Sequence, residues 1–192
     1  MPKRIPKAIG LVACVVTTLI ATQSPAYAQF PNNGDSTVAD NAVHTYCFTS
    51  GFTTDPSVGS YAMAVLGNTT DMDDLFPIDP PFCQFRETDV WWFESNLAAG
   101  TRGVRDCADY NLAASPDICT SSDVELDFAE LDDAVDVDDW EDRRKTAVHE
   151  VGHSVGLGHD TISAMKSGEI PDTSLTWRTY SAADIADING HY

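Results

Sequence analysis

Positive charge is what this sequence most lacks. Of its 192 residues only 11 are lysine or arginine, against 30 aspartate or glutamate, a formal net charge of −19. Phosphate-rich partners demand clustered cations, so no nucleic acid and no membrane surface is expected as a partner. Long apolar runs are equally scarce. One run, Ala8 to Ile20, is almost wholly apolar, but it is too short to cross a bilayer comfortably and no second follows it. There is no internal repeat, no linker that would split the chain, no loop with EF-hand spacing and no cysteine pair at zinc-knuckle spacing. What these absences leave is an acidic globular domain.

The short apolar run has its own reading. Lys3, Arg4 and Lys7 precede it and Ala26-Tyr27-Ala28 follows it, which is the basic head, apolar centre and small-x-small exit of a secretory signal peptide. Residues 1–28 are therefore expected to be removed and the protein to be secreted, extracellular and dispersed by its charge. The 164 residues that follow suffice for one domain with a real core. The leader holds three of the eleven basic residues and none of the thirty acidic ones, so the remainder carries −22. Cys14 also leaves with it. Cys47, Cys83, Cys107 and Cys119 remain, an even count that in an exported chain implies two disulfides. Three pairings are open, and joining sequence neighbours is the simplest.

Along the chain, residues 29–43 are polar and read as a flexible lead-in, with the domain proper spanning 44–192. Val43 to Phe48 alternates and is rich in β-formers, which predicts a strand. Val58, Tyr61, Ala62, Val65 and Leu66 form one apolar stripe on a helix with Ser57 as its cap. Pro77, Pro80 and Pro81 break the chain. Strands are expected near Cys83 to Arg86, over Asp89 to Glu94, and where Val124, Leu126 and Phe128 alternate with Glu125, Asp127 and Ala129, while Gly100 and Gly103 bracket a turn that leads toward Val104 and Cys107. A helix should start at Asp138 or Asp139 and run until Gly156 and Gly158 end it. Another should span Ser181 to about Ile188, capped by Ser181, with Ala182, Ile185, Ala186 and Ile188 on its apolar side.

The chemistry lies in the stretch from His149 to Asp160, His-Glu-Val-Gly-His-Ser-Val-Gly-Leu-Gly-His-Asp. Helix positions i and i+4 share a face, so His149 and His153 can point their rings at one ion, about 2.0–2.1 Å away if it is zinc. Glu150 sits about a hundred degrees around the helix, beside such an ion without binding it, and is the candidate general base. Gly156 accepts the turn that ends the helix and brings back His159, completing a His₃ set with a fourth position left to water. His44 and His191 have no ligand spacing and read as structural.

These residues resemble the zinc signature of the metzincin metallopeptidases, His-Glu-x-x-His-x-x-Gly-x-x-His, at every specified position. The resemblance implies one catalytic Zn²⁺ on His149, His153 and His159, with Glu150 as base. It also implies a methionine turn beneath the metal, for which Met165 in Ser163-Ala164-Met165 is the candidate. Gly152 and the closing helix around Asp184 to Gly190 are most similar to matrixins. Asp160 after the third histidine is instead typical of the adamalysin-type branch and is a candidate support for the ligands. Ser167 stands where astacins and serralysins place a tyrosine ligand, which disfavours both. By the same resemblance, Gly103 to Asp106 lie near the edge strand that pairs with an extended substrate, and Ile170 to Tyr180 wall the specificity pocket. Matrixin-like domains often bind structural Ca²⁺, and the acidic run Asp123 to Asp139 keeps calcium open as a second ion.

The expected protein is therefore an α+β, metzincin-like single domain. It has a twisted, mostly parallel sheet with helices, an active-site helix, and a small C-terminal subdomain holding the Met-turn and final helix. The expected activity is hydrolysis of internal peptide bonds in an extended protein or peptide, by a monomer. Two other classes compete: a catalytically silent, zinc-stabilised extracellular binding module, and a disulfide-stapled inhibitor or adhesin with an accidental motif.

Overall fold

The computed structural model describes residues 30–76, 83, 88–132 and 139–192. The leader at 1–28, the proline break at 77–81, the strand expected over Cys83–Arg86 and the cap candidate Asp138 fall wholly or mainly outside the described residues. The architecture is a six-stranded, mostly parallel sheet with four α-helices. Its strands are β1 (Thr37–Ala39), β2 (Val43–Phe48), β3 (Asp73–Leu75), β4 (Val90–Glu94), β5 (Gly103–Asn111) and β6 (Asp117–Leu126). The helices are α1 (Pro56–Thr69), α2 (Phe128–Asp132), α3 (Asp139–Ser154) and α4 (Ala182–His191). The strand order is β1-β6-β4-β2-β3, and β5 pairs with β6 as the one antiparallel neighbour.

Alternation decides which face is covered. Tyr46, Val90 and Ser122 are register partners, as are Phe48, Trp92 and Val124, so they share a face. On that face Trp92 and Val124 are fully buried, packed with Val58, Ala62, Met63 and Leu66 of α1 and Ala147, Val148 and Val151 of α3. Phe48, Phe52, Trp92 and Phe128 add a ring cluster with centroids 5.4–6.3 Å apart. The opposite face, with Thr45, Trp91, Asp123 and Glu125, is half-exposed.

Several local readings shift. The N-cap of α1 is Asp55, whose carboxylate accepts from Ser57 N at 3.2 Å while Pro56 fills the first turn. The strand read through Phe128 stops at Leu126, because Asp127 takes the amides of Ala129 and Glu130 and starts α2. Ser181 does cap α4, in a reciprocal capping box with Asp184. However, Ala182 and Ala186 are exposed and Ile188 alone in that helix is a buried apolar side chain. The lead-in is not loose over its described length. It contains β1, paired in parallel with β6, and Thr37, Val38 and Ala39 are all buried.

The disulfides are Cys47–Cys83 and Cys107–Cys119, with Cα atoms 5.4 and 5.7 Å apart. The second staples β5 to β6. By chain entropy each contributes about 3–4 kcal/mol. No described helix is long and apolar enough to cross a membrane.

His44 lies buried in β2, 2 % exposed, with Nε2 2.8 Å from Ser154 Oγ at the end of α3. The Ser154 hydroxyl donates to Val151 O, so His44 must donate through Nε2, which leaves its buried Nδ1 without a partner. Burial, with the charge of Arg105 adding, pushes its pKa down to about 3. The unfolded ring takes up a proton near 6.5 and the folded ring does not, so stability falls as pH drops from about 6.5 to 3, by about 5 kcal/mol at full extent. Denaturant titrations from pH 7 to 4 in chelator should show a shallower loss of stability for His44→Gln than for the parent; equal slopes would contradict this.

Candidate metal centre

Helix α3 carries Asp139, Glu141 and Asp142 in its first turn, where carboxylates favour the positive helix end. Its other end is a Schellman motif. Leu157 N donates to Gly152 O at 2.9 Å and Gly156 N to His153 O at 3.2 Å, with Gly156 at φ +105°. A side chain at Gly156 would be strained there, so the glycine is what lets the chain reverse and return His159 toward the helix.

The three expected ligands meet. His153 Nε2 lies 3.1 Å from His149 Nε2 and 3.2 Å from His159 Nε2. They form the one group of three or more metal-ligating side chains that converges among the described residues. Each of the two helical rings is fixed from behind: His149 Nδ1 lies 2.8 Å from Ala164 O and His153 Nδ1 2.7 Å from Leu157 O. A carbonyl only accepts, so both rings carry their proton on Nδ1 and turn a bare Nε2 lone pair toward the common centre. The 3.1 Å contact of His149 with His153 therefore holds no hydrogen bond. Ligands about 2.0–2.1 Å from a tetrahedral ion stand about 3.3 Å apart, close to what is found. The group can hold a metal ion.

Electrostatics agree. Burial first, with the charge of Lys145 next, pushes the His149 pKa down to about 2. Burial takes His153 to about 4, and it lowers the more exposed His159 as well. Neutral imidazoles are thus the resting form, as metal ligation requires. Glu150 is 5 % exposed, and burial pushes its carboxyl up to about 8 against the pull of Lys145 and Arg105. It lines the cavity beside His149 and His159 without belonging to the ligand group.

Met165 is fully buried under the helix, and a Cβ on Gly152 would stand 2.3 Å from its sulfur, so only glycine lets the two pack this closely. Asp160 does not touch the three rings. Its carboxylate accepts from Ile162 N, Ser163 N and the Ser163 hydroxyl, and its own amide donates to Met165 O, closing the loop that carries Met165. Its charge also favours protonation of His159. No residue from Ile170 to Tyr180 lines the cavity beside the histidines, whose lining includes Ser167 and Gly168; the Tyr180 hydroxyl donates to Val148 O. His44 and His191 stand apart from the group, the latter against Phe30 with centroids 5.4 Å apart. In the acidic run, Asp127 caps α2 and Asp132 pairs with Arg143. Residues 133–138 of the run lie outside the described residues.

Sequence reading missed the segment that holds the far end of α3. Asn33 Nδ2 donates to His153 O at 2.8 Å, Asn32 N donates to Gly156 O, and Asp35 pairs at 2.6 Å with a buried Arg105. Asparagines in a polar stretch look like any turn, and nothing local announces a contact 120 residues away. No protein-family model and no curated protein matches this chain.

Because Asn33 braces a ligand's own backbone, Asn33→Ala should weaken divalent-metal binding about 10-fold, while His153→Ala should abolish stoichiometric binding. Competitive titration against a chromogenic chelator measures both. An unchanged affinity in Asn33→Ala would contradict the bracing role.

Proposed function

We propose that the chain is a secreted zinc endopeptidase, with zinc on His149, His153 and His159 and Glu150 as general base. The observation that carries this reading is Glu150 itself. It is a buried carboxylate lying in the same cavity as His149 and His159, outside the ligand group. A purely structural site has no use for an uncoordinated acid at that position. Three neutral imidazoles suit zinc, carbonyl-fixed tautomers are how such ligands are usually oriented, and the set leaves a fourth position open. The closely packed Met165 fits the methionine turn of the metzincins that the sequence resembles.

When bound, zinc lowers the pKa of a coordinated water and polarises the scissile carbonyl. With a cation on the three histidines, Glu150 would be drawn to its ionised form, where it could take the proton from the attacking water and return it to the leaving amine. Strand β5 is hydrogen-bonded to β6 and runs along the outside of the sheet beside α3. An extended peptide added along its open edge gains main-chain hydrogen bonds, which position it beside Glu150. Two disulfides suit an extracellular setting.

A mixed peptide library digested by the zinc-loaded mature chain, beside Glu150→Ala, tests this. The parent should cut many internal bonds, and the variant should lose about 10²–10⁴-fold in rate with zinc retained. A folded, zinc-loaded parent that cuts nothing would favour the silent binding module instead.

A further inference from the structure

Beside the histidines lies a cavity of about 230 Å³, whose lining includes Arg102, Gly103, Lys145, His149, Glu150 and Gly168. By the share of liquid volume that one water takes, this is room for about eight waters, enough for a short charged side chain and its residual hydration. Lys145 stands one turn before His149 on α3, on the same face. It is 3 % exposed, yet its ammonium makes a single hydrogen bond, 2.9 Å to Gly168 O. Among the described residues it forms no ion pair. An ammonium has three donors, so two are unspent. Burial, with the charges of Lys166 and Arg102 adding, pulls its pKa down to about 8, against the attraction of Asp142 and Glu150. Arg102 adds a second cation to the lining, tied to Glu169 at the exposed side. Asp142 is buried one turn below Lys145 and is not part of the lining.

A buried, under-partnered cation in a cavity that opens onto the reacting centre is a recognition element. We propose that this cavity receives the substrate side chain next to the scissile bond and selects a carboxylate, so that cleavage is directed to aspartate or glutamate. The incoming carboxylate meets the unspent donors of Lys145 and the guanidinium of Arg102 in charge-assisted hydrogen bonds. An amide of the same shape leaves that charge uncompensated, and a lysine or arginine side chain is repelled. Glu150 is the one acidic side chain in the lining, and a metal ion on the three histidines would compensate it. The inference rests on the endopeptidase reading and adds the substrate class.

The test pairs peptides that differ only in Glu versus Gln, and Asp versus Asn, at each position flanking the cut, with zinc-loaded parent and Lys145→Met. The parent should prefer the acid at least 10-fold at one flanking position, and Lys145→Met should reduce that ratio to near one. Binding of the same pairs to zinc-loaded Glu150→Ala, which does not turn over, should show the preference without catalysis. Cleavage by the parent with no acid preference, or a preference that survives in a folded Lys145→Met, overturns the pocket and leaves the endopeptidase standing. If the zinc-loaded parent cuts no peptide, the endopeptidase reading fails and the pocket falls with it.

Discussion

Two imidazole nitrogens that face each other at 3.1 Å with no proton between them repel. Yet that is how His149 and His153 are held, because Ala164 O and Leu157 O claim the protons on the far side of each ring. A cation at the centre would relieve the contact, and much of the surrounding structure serves to keep the rings in place. The Schellman turn at Gly156 presents Leu157 O to His153 and returns His159. The Asp160 and Ser163 hydrogen bonds fix the loop that presents Ala164 O to His149. Met165 fills the space beneath, which only a glycine at 152 leaves open. The geometry of the histidine group is thus set by backbone carbonyls as much as by the histidines.

The site is also clasped from the other end of the chain. Asn32 and Asn33 occupy the carbonyls of Gly156 and His153, and Asp35 pairs with Arg105 beneath β5. Carbonyls at a helix C-terminus otherwise need water or a cap. Here a short segment before β1 supplies the partner and links the ligand helix to the edge strand. The hydrogen bonds and ion pair of this segment tie α3 to β5, so changes far from the histidines should be felt at the three rings.

Much of this was legible in advance, for physical reasons. Strand β2, the stripe of α1, the Ser181 cap and the convergence of the three histidines followed from period, capping chemistry and fixed spacing, which are local rules. What escaped was non-local or competitive. Asp55 displaced Ser57 as cap because Pro56 is preorganised for the first helical turn. Asp127 ended a strand whose apolar alternation ran on to Phe128, since its carboxylate takes two amides of α2. The buried Lys145 and the clasp by Asn33 left no sequence signal, because a lysine on a helix and an asparagine in a polar stretch are ordinarily solvated.

The most direct test of the central claim is the metal edge itself: X-ray absorption at the zinc edge on protein purified with zinc, read alongside metal stoichiometry. The account predicts one zinc per chain with three nitrogen ligands at about 2.0–2.1 Å and one light-atom ligand, lost in His149→Ala. A folded parent that binds no stoichiometric zinc, or binds it through carboxylates in place of the three histidines, would contradict it.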